Sequence, residues 1–392
     1  MRKIKLYYPK LKYIISLFIL FGLIMQSGGG IIRTLSLVLC LGLVLINLTS
    51  KKLKVPNSII TVFAFISASI SISGIISAIQ NVSIGSIISF NFSMYFLIIL
   101  FFVAKTNYID IKGYVKACEY FSIIVVILTI GTFLGLARID FVKQKLISFF
   151  NGIYGPKSFG GIVLWIVYFQ GTLALIPACV YSLYIKKYVP FVICFLGILF
   201  SGSRFGLLVI VLFYCIFNYN KLIKVFFVIG IFVLIGYLTE NPIIMSLFSM
   251  FDNSDGGVSI RSGHLRGIIE LFEVQPSYLF WGQGPGSSFY SYGFKKYTDT
   301  CEISHFDFLR KYGIFFSVIV FSILLVFSYL LIRNTDKKGK GMGWAIIAHF
   351  ILAISNPVLT SLPFMSFLTI SITYYYSYLE KKRKQCKNIS VQ

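Results

Sequence analysis

The sequence predicts an all-α polytopic membrane protein of about 12 transmembrane helices with one large outer loop. Three observations predict it. First, 57% of the 392 residues are hydrophobic and only 12% are charged, and the mean hydropathy is +0.85. A soluble domain carries about 25% charged residues, so ordinary soluble folds and disordered chains are excluded. Second, apolar segments close to the ~20 residues that a bilayer core demands recur along the chain. Third, the basic residues cluster in alternate connections. A net charge of +23 in a soluble chain would suggest nucleic-acid binding. In a chain this apolar it reads as basic cytoplasmic loops, with no nucleic-acid partner.

Twelve segments qualify: 12–28, 32–49, 58–78, 84–104, 119–137, 159–185, 188–201, 203–217, 223–239, 312–332, 343–357 and 361–379. Arg2, Lys3, Lys5, Lys10 and Lys12 precede or open the first one, as in a signal peptide. No convincing cleavage site follows, so it reads as a retained anchor. With the N-terminus cytoplasmic and sides alternating, each cytoplasmic connection is basic: Lys51, Lys52 and Lys54, then Lys105, Lys112 and Lys116, then Lys186 and Lys187, then Lys221 and Lys224. Arg333, Lys337, Lys338 and Lys340 follow span 10, and five bases between Lys381 and Lys387 form a cytoplasmic tail. The inner side then carries 24 bases against 4 acids, and the outer side 12 against 9, which is the positive-inside pattern. Both termini are expected in the cytoplasm of a bacterial inner-membrane protein. Segments 188–201 and 203–217 are short. Fusing them would move the later basic loops outside, so a break at Ser201-Gly202-Ser203-Arg204 is expected.

The whole chain reads as one integral membrane domain, with the large outer loop at 240–311. Outer loop 138–158 breaches the charge rule with Arg138, Lys143, Lys145 and Lys157 against Asp140. Of seven cysteines only Cys301 faces outward, so no external disulfide within one chain is expected. The large loop is too long for a passive connection and too apolar for disorder, as Leu265, Ile268, Phe272, Phe280 and Trp281 attest. It reads as a lid over a cavity in the bundle.

Within the loop, 262–273 has helical periodicity in Leu265, Ile268, Ile269 and Phe272. Arg266 and Glu270 stand at i,i+4 on the opposite side, where they pair. Asp252 to Gly257 reads as a turn whose spacing does not match an EF-hand. Gly282-Gln283-Gly284-Pro285-Gly286 permits positive φ or close backbone approach. Phe289, Tyr290, Tyr292, Phe294 and Tyr297, beside Lys295 and Lys296, suit either sugar and phosphate groups or a membrane-interface belt. If 301–313 is helical, Glu302, His305, Phe306 and Leu309 share a face, while Asp307 turns toward Arg310 and Lys311. A carboxylate beside an imidazole is an acid/base candidate. Arg33, Arg204, Arg261 and Arg266 are the outer arginines suited to planar phosphate binding.

Four stretches, in this order, resemble the O-antigen and capsular polysaccharide polymerases of the Wzy type and the related O-antigen ligases. They are Ser201-Gly202-Ser203-Arg204-Phe205-Gly206, Arg261 with the helix after it, Leu279-Phe280-Trp281-Gly282-Gln283-Gly284-Pro285-Gly286, and Glu302 through Gly313. The ligases place His-Asn eleven residues before the glycine matching Gly313. Here that position holds Glu302 and Ile303, which favours polymerase over ligase and leaves His305 three residues off the family position.

The resemblance implies a GT-C-like architecture and a membrane glycosyltransferase. Its substrates would be polyprenyl-diphosphate-linked oligosaccharides, joined on the outer face of the membrane. A flippase and a chain-length regulator are the implied partners. Arg204 and Arg261 would stabilise the leaving diphosphate, with Arg266, Arg33, Gly284 and Trp281 as further substrate contacts. Glu302, His305 or Asp307 would supply acid/base catalysis. The scheme calls for no metal or other cofactor. The competing readings are the ligase, a flippase or transporter, and a peptidoglycan-type polymerase. Matching broken halves, the usual mark of a transporter, are not evident.

Overall fold

The computed structural model describes residues 2–25, 30–49, 55–106, 108–133, 144, 153–159, 162–168, 170–219, 230–231, 234–239 and 256–389. The expected ninth span, the turn at 252–255 and most of loop 138–158 lie wholly or largely outside them. The chain is mostly helical. α1 (Arg2–Ile24) and α2 (Gly30–Thr49) pack as a pair. Gly22 lets them close, since a Cβ there would lie 2.1 Å from Ser36 Oγ. α3 (Asn57–Ile79) and α4 (Ile84–Lys105) form a helical hairpin. Pro56 precedes α3, and the Ser83 hydroxyl caps α4 by accepting from the Ser86 amide at 3.3 Å. α5 (Ile111–Phe133) starts eight residues before the expected span, because Asp110 accepts from the Gly113 amide at 2.7 Å and nucleates the first turn.

The expected span 159–185 is the main correction. Its first part is an antiparallel hairpin of β1 (Ile153–Phe159) and β2 (Ile162–Tyr168), with Phe159 paired to Ile162. A 3₁₀ turn (Gln170–Ala174) then leads into α6 (Leu175–Tyr184), so the helix is short. A β-branched run such as Ile162-Val163 through Ile166-Val167 has helix-like hydropathy, and periodicity does not separate the two over so short a run. The expected break after it is present: α7 (Tyr188–Phe200) and α8 (Arg204–Phe217) are separate helices, and Gly202 turns the chain at φ 67°.

The rest is α9 (Gly256–Val274), the single turn α10 (Ser277–Trp281), the hairpin β3 (Phe289–Ser291)–β4 (Lys296–Thr298), α11 (Ser304–Asn334), α12 (Lys337–Leu352) and α13 (Leu362–Ile389). α13 runs ten residues past the expected end of its span. α11 is two helices joined at Gly313, whose φ of 77° and ψ of 168° are not helical. Four described helices are long and apolar enough to cross a membrane: 57–79, 84–105, 111–131 and 304–334. Four shorter apolar helices, 32–46, 171–184, 188–200 and 204–217, accompany them.

Contacts between elements sort the helix ends into two sets. At one end Lys12 Nζ donates to the Thr106 carbonyl (3.2 Å), Ser58 meets the Tyr376 hydroxyl (3.0 Å), and the Tyr374 hydroxyl donates to Asp336 (2.6 Å). At the other, Ser77 Oγ donates to the Pro285 carbonyl (2.8 Å) and Ser304 Oγ to the Asn356 carbonyl (2.6 Å). The connections that hold Lys105 and Lys337, both expected on the cytoplasmic side, belong to the first set. The glycine-rich stretch and Glu302 belong to the second. The main core lies between, around residues such as Leu20, Leu100, Phe121, Phe213 and Phe364.

Residues 256–303 form a small module on the second set of ends. Its core is Ile268, Phe289 and Cys301, with Leu271, Phe272 and Ile303 packed around it. Ile269, expected among the inward residues, is instead exposed. The module closes through glycine. A Cβ on Gly263 would lie 2.1 Å from the Gly293 nitrogen, and one on Gly267 would lie 2.0 Å from the Tyr290 carbonyl oxygen. α9 therefore meets the β3–β4 hairpin backbone to backbone.

Candidate active site

The glycine-rich stretch is a docking loop. Gly282, Gly284 and Gly286 have φ of 84°, 93° and 82°, a region that L side chains rarely enter. The Gln283 amide donates to the Arg310 carbonyl at 2.6 Å and the Gly284 amide to the Lys311 carbonyl at 3.0 Å. The loop thus pairs with the last turn before the Gly313 break. A Cβ on Gly284 would stand 2.2 Å from Ser77 Oγ, so the loop seats directly on the end of α3. Gly284 thereby spends its amide on this docking.

Under the loop lies Arg310, the largest fully buried side chain among the described residues, at 0% exposure. Its Nη1 donates to Gln283 Oε1 (2.7 Å), the Ser287 carbonyl (2.9 Å) and Ser287 Oγ (3.1 Å). Its Nη2 donates to the Asp299 carbonyl (3.1 Å) and Asp307 Oδ1 (2.9 Å). The guanidinium also lies 4.8 Å from the Phe289 ring centroid. The other oxygen of Asp307 accepts from Lys311 Nζ at 2.6 Å, and Lys311 Nζ lies 4.1 Å from the Phe90 ring centroid. Next to it, the Tyr312 hydroxyl donates to Asn91 Oδ1 at 2.6 Å, tying the segment to α4. The expected turn of Asp307 toward Arg310 and Lys311 is present. The depth of Arg310 is new. Sequence offered one signal for it, a glutamine set between glycines opposite a basic pair.

Glu302 and His305 do not share a helical face. The helix begins only at Ser304, because Ile303 is extended (φ −94°, ψ 94°). The Ser304 hydroxyl binds the 356–358 turn, accepting from the Val358 amide at 2.8 Å. Glu302 therefore turns toward α9, where Arg261 Nε lies 3.3 Å from its Oε2. Both side chains are about one third exposed, at 35% and 34%. The Arg261 Nε–H falls outside strict hydrogen-bond geometry toward the carboxylate, so the attraction is chiefly Coulombic. Partial burial pushes the Glu302 carboxyl up from its ordinary pKa, and Arg261 pulls it back. The His305 ring turns the other way, edge-on to Phe350 (4.5 Å) and Phe321 (5.2 Å). Carboxylate and imidazole are thus separated, unlike the adjacent pair the spacing implied.

The expected Arg266–Glu270 pair is present at 3.2 Å. Arg266 also covers the Tyr292 ring (4.4 Å), and the Tyr292 hydroxyl donates to Glu270 at 2.5 Å. Arg204 opens α8 and Arg33 lies in α2, 5.8 Å from the Phe92 ring centroid. Those two helices belong to the bundle, not to the module. Trp281 is 63% exposed and packs against Phe315 (5.7 Å), as does Phe280 (6.0 Å).

His264 is buried in the module between Phe294 (4.7 Å) and Phe289 (5.8 Å), with neither ring nitrogen hydrogen-bonded. Burial lowers its pKa. Cys301 is also buried, and its thiol is pushed up to about 12, which makes it inert packing. Among the described residues no group of three His, Cys, Asp or Glu side chains could hold a metal ion.

Chemically the arrangement offers one partly exposed carboxylate–arginine pair next to a buried platform in which Asp307 engages both Arg310 and Lys311. No protein-family model matches the chain, and no curated protein is significantly similar to it.

Proposed function

We propose that the protein is a membrane glycosyltransferase of about twelve spans and GT-C-like architecture, resident in the bacterial cytoplasmic membrane. It polymerises polyprenyl-diphosphate-linked oligosaccharide repeat units into a surface polysaccharide on the outer face. The Arg261–Glu302 pair carries the reading. It joins two of the four motifs by which the chain resembles the Wzy-type polymerases, 41 positions apart, at one partly exposed point.

The chemistry follows from that pair. A hydroxyl of the incoming repeat unit attacks the anomeric carbon of the lipid-linked chain. A new C–O bond forms as the bond from that carbon to the diphosphate oxygen breaks, and the electron pair leaves with polyprenyl diphosphate. Arg261 meets this developing charge, a preorganised cation being worth most where water is scarce. Arg204 is the second cation assigned to the diphosphate. As Arg261 turns to the phosphate, Glu302 is released to accept the hydroxyl proton. A carboxyl raised by burial is better matched to that task than a free one. Glu302 at the position where the ligases carry His-Asn favours polymerase over ligase.

Deletion of the gene, complemented by wild type or variants, tests the proposal. Polysaccharide resolved by gel should show a ladder with wild type. Arg261→Ala and Glu302→Gln should show single repeat units only, with normal protein levels in the membrane. Full ladders from both variants would overturn the assignment.

A further inference from the structure

The exposed aromatic residues of the module divide into two groups with different chemistry. Phe280, Trp281 and Phe315 form the first. It carries no charge and continues into the exposed apolar face of α11 at Ile314 and Val318, as an interfacial belt would. The second is built from tyrosines on the β3–β4 hairpin. Tyr290 and Tyr297 are cross-strand partners. β3 alternates, with Phe289 and Ser291 buried and Tyr290 outward. The Tyr290 ring stands edge-on to Tyr297 (5.5 Å, 72°) and to Tyr292 (5.2 Å, 86°), and Tyr297 is 72% exposed. One side of this corner is fixed by charge, since Tyr292 is clamped between Arg266 and Glu270.

This second group is unsuited to anionic lipid or to free phosphate. Its central cation, Arg266, is already neutralised by Glu270, and Lys296 of β4 lies over the Phe294 ring (5.9 Å), not over the three tyrosines. The Tyr292 hydroxyl and Arg266 hold that carboxylate ionised, with its pKa below the ordinary value. It is equally unlike the first group, because a charged pair and three phenols sit where a lipid-facing surface would be apolar. Rigid ring faces at right angles, flanked by one strong acceptor and one strong donor, match a polyol. The C–H faces of pyranose rings stack on aromatic planes, and sugar hydroxyls donate to a carboxylate and accept from a guanidinium. Tyrosine supplies such contact area at little entropic cost.

The geometry points to the Tyr290–Tyr292–Tyr297 corner, with Arg266 and Glu270, as a saccharide-binding subsite that holds the glycan chain on the module that carries the Arg261–Glu302 pair. Identifying that saccharide as the growing chain rests on the polymerase reading above. The corner grips sugar and not the lipid diphosphate. Its loss should shorten chains without stopping the reaction.

The test uses the full chain in cells and in nanodiscs. Tyr290→Ala/Tyr297→Ala should still yield polymer, but of clearly lower modal length, while Tyr290→Phe/Tyr297→Phe keeps the wild-type distribution. For binding, the probe is the single repeat unit cleaved by mild acid from lipid of the Arg261→Ala strain. Saturation-transfer NMR should detect it on wild type and on Arg261→Ala. The double alanine variant should bind it about tenfold more weakly, as expected for two lost aromatic contacts. Wild-type chain lengths and undiminished binding in the double alanine variant would overturn the subsite and leave the polymerase reading standing. An unchanged ladder on deletion of the gene would overturn the polymerase reading, and the assignment of the growing chain with it.

Discussion

Two ion clusters flank the same short helix, and they are built in opposite ways. Asp307, Arg310 and Lys311 form the first. Both carboxylate oxygens are taken, the guanidinium makes five hydrogen bonds, and water is excluded from the arginine. Arg261 and Glu302 form the second, one third exposed, held by charge without a directed hydrogen bond. A buried cluster whose carboxylate and terminal guanidinium nitrogens are already engaged, with only the water-excluded Arg310 Nε unpaired, has little to offer a substrate, and breaking it unpairs several groups at once. A half-exposed pair adds little to stability but keeps donors and lone pairs free for new contacts. The first is architecture and the second is chemistry, although both consist of the same residue types.

The largest expected effect breaks the first cluster. Arg310→Ala leaves Asp307 with Lys311 alone and strands the Gln283 amide oxygen and two carbonyls, and each buried polar group left without a partner costs about 1–3 kcal/mol. Limited proteolysis in detergent should then cut within 256–303 while the bundle stays intact. An unchanged proteolytic pattern would deny the cluster its structural role.

Next come the variants of the second pair. Arg261→Ala should lower polymer formation by about 10²–10³-fold, as for one lost preorganised donor, yet change stability by less than ~1 kcal/mol. If it unfolds the module as Arg310→Ala does, the contrast between the clusters collapses. The pair also predicts a pH dependence. Glu302 must be ionised to act as base and its pKa is raised. The rate should therefore rise with pH through that elevated value, and this acid limb should be absent from the residual activity of Glu302→Gln.

Gly284→Ala sits between the two. The alanine must adopt a φ of 93° and meets Ser77 Oγ at 2.2 Å, so about 1–3 kcal/mol is lost from backbone strain alone. Thermal denaturation should show it as undocking of the loop, partly relieved by Ser77→Gly. The smallest effect is acid sensitivity of the module. The folded state depresses the His264 pKa, so the unfolded state takes up the proton first. The stability His264 contributes is present above the ordinary histidine pKa of about 6.5 and is lost as pH falls through the depressed value. His264→Phe should flatten that slope in hydrogen exchange across α9. An equal slope in both would assign the proton uptake elsewhere.

What the sequence revealed was local. The Arg266–Glu270 pair, the turn of Asp307 toward its i+3 and i+4 neighbours and the three positive-φ glycines follow from short-range geometry, the break at Ser201-Gly202-Ser203-Arg204 follows from the alternation of basic loops, and all are present. Relations across the chain were harder to read. Nothing in the spacing joins Arg261 to Glu302, since that contact depends on where α9 packs. The burial of Arg310 depends on a loop 27 residues earlier folding over it. The strand 162–168, inside the expected span 159–185, reads as helix because hydropathy measures burial and not backbone conformation. Glu302 and His305 are put on one face only by a helix over 301–313, which starts three residues before the real one at Ser304.

The glycine seam between α9 and the β3–β4 hairpin has a consequence for mutational tolerance. Gly263 and Gly267 face backbone atoms 2.1 and 2.0 Å from where a methyl group would go, and Gly293 faces Ile260 at 2.5 Å. Main chain, unlike a side chain, cannot rotate out of the way, so no neighbouring substitution compensates. A saturation library of the module would accept variety across the tyrosine corner at normal expression and reject every substitution along this line. The module can thus diversify what it touches while its thickness stays constant.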